Sequence, residues 1–77
     1  MIEKYNIEDR ILGILQDEYQ ISIVDTNKDL RQELDSLEIL ELGIIVEEKF
    51  GVHVRDSDLA DMHTVQSIVR FIEDKRG

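Results

Sequence analysis

The sequence predicts a small all-α protein, a four-helix bundle of three longer helices and one short helix with a long loop between the first and second helices. Its 77 residues can build a single hydrophobic core. Four glycines, no proline and no cysteine suit a helical bundle better than a sheet with many turns. Without cysteine, disulfides and thiolate chemistry are excluded. We therefore expect residues 1–77 to form one domain.

The first predicted helix covers residues 7–19. Asn6 precedes it and is expected to cap the free amides of its first turn. Its apolar stripe consists of Ile7, Ile11, Ile14 and Leu15. The loop that follows, residues 20–35, is long for a small domain, so we expect it to pack on the bundle. Four apolar residues could anchor it: Ile21, Ile23, Leu30 and Leu34.

The second predicted helix covers residues 36–50 and ends at Gly51, which suits a left-handed cap. Asp35, followed three residues later by Glu38, has the form of a capping box. This places Ser36 at the first helical position, with its hydroxyl pointing outward beside unpaired backbone amides. A phosphate attached there would lie at the positive end of the helix dipole.

The second helix carries two apolar stripes, whereas a surface helix needs only one to face the core. The core-facing stripe is Ile39, Leu42, Val46 and Phe50. The other is Leu37, Leu40 and Ile44, flanked by Glu41, Glu47 and Glu48. This second stripe is either half-buried under the long loop or an exposed patch of the kind that binds a partner. Gly43 costs about 1 kcal/mol relative to alanine inside a helix, so it either permits a close approach or has no role.

The C-terminal part of the chain predicts a short helix around residues 56–60 and a third longer helix over residues 64–75, capped by Thr64. The stripe of the longer helix is Val65, Ile68, Val69 and Ile72. Residues 52–54 could be extended, but the sequence offers no partner strand for them.

The formal net charge is −9, which disfavours binding to nucleic acids and to anionic membrane surfaces. Residues 32–61 hold nine acids against two bases. Such a segment is either a solvated acidic face or a docking surface for basic partners. The first ten residues contain no apolar run of signal-peptide or membrane length. We expect a cytoplasmic monomer.

Residues 35–73 carry several motifs in one register: the tetrapeptide DSLE, the segment EILELGIIVEEKFGVHV and the segment TVQSIVRFI. Together they resemble the acyl carrier protein family. The resemblance implies that Ser36, flanked by Asp35 and Leu37, carries a 4′-phosphopantetheine arm derived from coenzyme A and joined by a phosphodiester. The thiol of the arm would hold acyl groups as thioesters.

The resemblance also implies partners: a phosphopantetheinyl transferase and acyl-transferring, synthase or ligase enzymes of fatty-acid, polyketide or related biosynthesis, with basic docking surfaces. The residues expected to meet them are Glu38, Leu40, Glu41, Ile44, Glu47, Glu48 and Asp56. Three departures suggest a specialised carrier. Glu33 stands where the family usually has glycine, Arg55 where proline is frequent, and the loop before Ser36 is about one residue shorter.

An enzyme reading would make Ser36 a nucleophile, which needs a base and a group to orient it. The only histidines, His53 and His63, are interpreted as surface residues or local caps, and no Gly-x-Ser-x-Gly elbow is present. We therefore expect no catalysis. We also expect no metal site, because the alternating polar residues at 25–29 lack the glycine and closing glutamate of a calcium loop. Two alternatives stay open: an unmodified acidic helical interaction module, and an aminoacyl or aryl carrier.

Overall fold

The structure, a computed structural model, describes residues 3–76, with side chains from Ile7 onward. In this range it contains four α-helices, one short 3₁₀ turn and no strand. The helices are α1 (Glu3–Tyr19), α2 (Ser36–Phe50), α3 (Asp56–Leu59) and α4 (Val65–Arg76). The predicted fold class is therefore confirmed.

The first helix begins earlier than predicted. It starts at Glu3, so Asn6 lies inside the helix and the predicted cap at Asn6 is wrong. Glu3 and Lys4 are good helix formers and extend α1 towards the N-terminus, while an interior asparagine is only mildly unfavourable. At its other end α1 stops where Gln20 adopts a left-handed conformation with φ of 56°, and the Gln20 amide donates to the Gln16 carbonyl at 3.0 Å.

One hydrophobic core joins α1, α2, α4 and the long loop. Its fully or nearly fully buried members are Ile7, Ile11, Leu15, Leu30, Leu34, Leu42, Val46, Phe50, Met62, Val65, Ile68, Val69 and Ile72. α1 packs against α4, and α3 contributes no buried residue. The core therefore forms without α3, which lies on the bundle next to α2.

The long loop packs on the bundle as predicted. Leu30 and Leu34 are buried, and Ile21 and Ile23 pack partly buried against the core. The Leu30 amide donates to the His63 carbonyl at 2.7 Å, which ties the loop to the link between α3 and α4.

A short 3₁₀ turn, Leu30–Gln32, begins inside this loop, and Asp29 caps it by accepting from the Arg31 amide at 2.9 Å. The Arg31 guanidinium also donates to the Asp29 carboxylate at 2.7 Å. These hydrogen bonds from Arg31 lower the pKa of Asp29 to about 2. These bonds hold the 3₁₀ turn in place shortly before α2 begins.

Residues 52–54 are not a strand. Val52 and Val54 are partly buried against the core, and the Val54 amide donates to the Glu47 carboxylate at 2.8 Å. Thr64 caps α4 as predicted, because its hydroxyl oxygen accepts from the Ser67 amide at 3.0 Å. Across residues 3–76, no helix combines the length and the apolar content that a membrane span needs.

Candidate functional site

The start of α2 is fixed by a reciprocal capping box. Asp35 has extended backbone angles, and its carboxylate accepts from the Glu38 amide at 2.8 Å. The Glu38 carboxylate accepts from the Asp35 amide at 3.0 Å. At the far end, Gly51 takes the left-handed cap position with φ of 67°. Both predicted caps of α2 are confirmed.

Ser36 is the first residue of α2, and its side chain is exposed. In the described part of the chain, the Ser36 hydroxyl has no hydrogen-bond partner. The capping box uses the Glu38 amide, and the Ile39 amide bonds to the Asp35 carbonyl. The amides of Ser36 and Leu37 are then the donors left free at the positive end of the helix dipole. A phosphoryl group on the Ser36 oxygen would meet these donors.

A cleft of about 490 Å³ opens beside Ser36 between α2, α3 and the 3₁₀ turn. Most of its lining is apolar. The lining residues are Arg31, Leu34, Asp35, Ser36, Ile39, Leu40, Asp56, Leu59, Ala60 and His63. The site therefore combines an unbonded hydroxyl with a neighbouring apolar cavity.

His63 lines the same cleft and is partly exposed. The Leu30–His63 backbone bond holds this segment against the loop. Its Nδ1 atom is buried and has no hydrogen-bond partner within the described residues. No hydrogen bond joins His63 to Ser36, so the structure does not present a paired nucleophile and base.

The second apolar stripe of α2 is exposed rather than covered by the loop. Leu37 is 74% exposed, Leu40 44% and Ile44 50%. Glu41 and Glu48, which flank the stripe, are exposed as well. Of the two alternatives for this stripe, the exposed one is therefore correct. An apolar patch edged by acids is typical of a protein-binding surface.

Two of the predicted partner-binding acids are held by structural bonds and are not fully exposed. Glu38 belongs to the capping box, and Glu47 accepts from the Val54 amide and lies 3.1 Å from His53 Nδ1. Both are partly buried. Asp56 is exposed at the start of α3 and lines the cleft. Glu41, Glu48 and Asp56 are therefore the exposed acids of this set.

Tyr19 is a residue that the sequence analysis missed. Its hydroxyl donates to the Glu41 carboxylate at 2.8 Å and lies 3.3 Å from the Glu38 carbonyl. Burial, followed by the Glu41 carboxylate, raises the pKa of Tyr19 well above its ordinary value. The signal was its position four residues after Leu15, which puts Tyr19 on the core-facing side of α1. One oxygen of Glu41 is thus held by α1 while the side chain stays exposed.

Two departures from the family pattern have local explanations. Glu33 has φ of −111°, which any residue adopts, so this backbone does not need glycine. Its carboxylate pairs with Lys28 at 2.5 Å. The Arg55 amide donates to the Asp58 carboxylate at 2.9 Å and, as the largest cause, lowers the pKa of Asp58. A proline at position 55 could not make this bond.

Among the side chains described, those of residues 7–76, no group of three or more histidine and acidic residues is placed to hold a metal ion. The segment at residues 25–29 instead makes local turn bonds, with the Asp25 carboxylate accepting from the Asn27 amide at 2.9 Å.

Comparisons with known proteins identify the class. The family model described as "phosphopantetheine attachment site" matches residues 9–72. The acyl carrier protein of Solidesulfovibrio magneticus is 32% identical over 76 residues, covering 94% of this chain and 97% of that protein. The acyl carrier protein of Rhodococcus erythropolis is 44% identical over 41 residues, but this match spans only 53% of the chain and 45% of that protein.

A solved structure has the same fold. The crystal structure of an acyl carrier protein from Thermotoga maritima superposes with a TM-score of 0.82, covering 99% of this chain and 93% of that one at 15% identity. The chain belongs to the phosphopantetheine-attachment family, as an acyl carrier protein. Its cofactor is 4′-phosphopantetheine, and its role is that of a carrier rather than an enzyme.

Replacing Asp35 with alanine should destabilise the start of α2. Loss of an aspartate cap costs about 1 kcal/mol, so urea unfolding should show a free energy of unfolding lower by about that amount. The Glu38 amide should also exchange its hydrogen faster, since its acceptor is gone. Asp61→Ala is the matched control, because Asp61 is exposed and its carboxylate caps no helix. Equal effects of the two substitutions would contradict the capping role of Asp35.

Proposed function

We propose that Ser36 is the residue that carries the 4′-phosphopantetheine arm, and that the chain acts as one carrier domain which presents acyl thioesters to biosynthetic enzymes. The observation that carries this proposal is the exposed, unbonded Ser36 hydroxyl at the first position of a capped helix. It lies within the segment that matches the attachment-site family.

The residues of this chain would act on the arm by position and charge. Ser36 supplies the oxygen of the phosphodiester, and the free amides of Ser36 and Leu37 face the phosphate. The helix dipole favours the negative charge there, by ~0.3–1 kcal/mol at an exposed site. Asp35 holds this geometry through the capping box. Its carboxylate lies near the phosphate, and the two negative charges repel each other. The bound arm supplies the thiol that carries the acyl group.

The apolar lining of the cleft supports a hydrocarbon acyl group as cargo. Leu34, Ile39, Leu40, Leu59 and Ala60 line it. An apolar chain gains about 25 cal/mol for each Å² that it buries, whereas a charged aminoacyl group would lose its hydration there. A fatty-acyl or polyketide group therefore fits the cleft better than an aminoacyl group. An aryl group is apolar as well and stays the alternative cargo.

The exposed stripe of α2 supports the docking of basic partner enzymes, beginning with the transferase that modifies Ser36. Leu37, Leu40 and Ile44 offer the apolar contact, and Glu41 and Glu48 offer charges that would steer a basic surface towards it. Glu38, Glu47 and Asp56 add negative charge around the same face. The proposal includes a cytoplasmic location and a monomeric state. Self-association through the stripe would bring like charges together, which favours the monomer.

An unmodified interaction module would use the same surface of α2. It differs from a carrier only at the Ser36 hydroxyl. The family membership favours the carrier, and modification of Ser36 decides between the two.

Incubation with a phosphopantetheinyl transferase, coenzyme A and magnesium should add one phosphopantetheine mass to the wild-type protein. Ser36→Ala should gain no mass, because it lacks the acceptor oxygen, and should keep the helical circular dichroism of the wild type. Ser57→Ala is the matched control, since Ser57 is an exposed serine of α3, and it should be modified like the wild type. Modification of Ser36→Ala, or none of the wild type with several transferases, would contradict the proposal.

Charge reversal at Glu41 should slow the transfer of the arm. The Glu41→Lys protein should keep its helical content, while the rate of modification at low salt should fall, because the local field that steers a basic enzyme is lost. Added salt should reduce the difference in modification rate between the two proteins. At 0.1 M ionic strength, exposed charges more than about 10 Å apart are largely screened from each other.

Asp74→Lys is the control for Glu41→Lys. Asp74 is exposed on α4 and the substitution changes the net charge by the same amount. If Asp74→Lys slowed modification as strongly as Glu41→Lys, net charge rather than the face of α2 would govern docking.

A further inference from the structure

Gly43 is buried in the middle of α2, where a glycine weakens a helix. A Cβ atom built at this position would lie 2.6 Å from Leu59 Cδ2 and 3.6 Å from Val54 Cγ1. Real side chains do not approach so closely. The missing side chain of Gly43 therefore lets Leu59 lie directly on the α2 backbone.

Leu59 is the single apolar residue of α3, whose sequence is DSDL, and α3 contributes no buried residue to the core. The contact of Leu59 with Gly43 is therefore the apolar contact that α3 itself makes with α2. Arg55 and Asp58 bond to each other at the start of α3, so this hydrogen bond does not join α3 to α2. The position of Leu59 accordingly depends on the space over Gly43.

Leu59 also lines the cleft beside Ser36. Seven residues separate Ser36 from Gly43, which is about 10 Å along the helix axis and two turns. Residues seven apart differ by only ~20° around a helix, so Ser36 and Gly43 share one face. Ile39 and Leu40 lie between them on that face and line the cleft too. The cleft thus follows one face of α2, from Ser36 to the point where Leu59 rests on Gly43.

We propose that Leu59, seated on Gly43, closes the far end of this cleft and sets the longest acyl chain that the carrier can shelter. This rests on the proposed function, since it assumes that Ser36 carries the arm. Removal of the Leu59 side chain extends the cleft over a stretch of α2 that has no side chain of its own. A methyl group at position 43 fills part of that extension. The two positions therefore act as a pair that determines cargo length.

The test uses the full chain loaded with saturated acyl groups of increasing length, transferred from the corresponding acyl-coenzyme A. Intact mass confirms loading, and the melting temperature of each form is compared with that of the unacylated, modified protein. In the wild type the melting temperature should rise with each added methylene until the cleft is full, and then level off. In Leu59→Ala it should level off at chains longer by roughly three carbons, the size of the group removed. The double variant Gly43→Ala/Leu59→Ala should return towards the wild-type length.

Val24→Ala is the control, because Val24 is 97% exposed and does not line the cleft. It should level off at the wild-type length. If the melting temperature levelled off at the same acyl-chain length in the wild type and in Leu59→Ala, the inference would be overturned. A mass gain in that experiment would still support attachment of the arm. Absence of mass gain in the wild type would overturn the attachment itself. Should Leu59→Ala fail to fold, Gly43→Ala alone carries the test, because its Cβ displaces Leu59 and must change the levelling length. An unchanged length would again overturn the inference.

Discussion

The two hydrogen bonds between Asp35 and Glu38 fix where α2 begins, and the rest of the site depends on this start. They make Ser36 the first helical residue and leave its hydroxyl outside the bond network. A start shifted by one residue would turn every side chain of α2 by ~100° relative to the cap. The free amides, the exposed stripe and the cleft would then no longer be aligned with Ser36. A local interaction between the side chains of Asp35 and Glu38 thus controls the geometry of the whole face.

The cleft depends on contacts that are distant in sequence. Leu34 comes from the long loop, His63 from the link between α3 and α4, and Leu59 from α3. The Leu30 amide bonds to the His63 carbonyl, so the loop and the link hold each other in place. The 3₁₀ turn capped by Asp29 carries Leu30 into the core. The cleft is therefore assembled from α2 and three further segments, whereas Ser36 is placed by local contacts alone.

The sequence was sufficient to predict features that depend on interactions between residues close together along the chain. Periodic apolar residues predicted the helices, and the pattern of Asp35, Glu38 and Gly51 predicted both ends of α2, because caps involve residues only a few positions apart. The same reasoning failed at Asn6, since nothing in the pattern showed that good helix formers before it would extend α1. The role of Gly43 was left open for a different reason: its partner, Leu59, is brought near by the tertiary fold. The hydrogen bond from Tyr19 to Glu41 and the place of His63 in the cleft are of the same kind. The exposure of Leu37 and Ile44 could not be predicted either, because it depends on where the loop runs.

The central claim, that Ser36 carries the phosphopantetheine arm, is tested most directly by the mass of the protein isolated from the cells that make it. Intact mass spectrometry followed by fragmentation should show a species heavier than the unmodified protein by phosphopantetheine, alone or with an acyl group. The added mass should map to a fragment that contains Ser36, and any acyl group would identify the cargo. An unmodified mass in cells that modify their other carrier proteins, or an arm on another residue, would contradict this account.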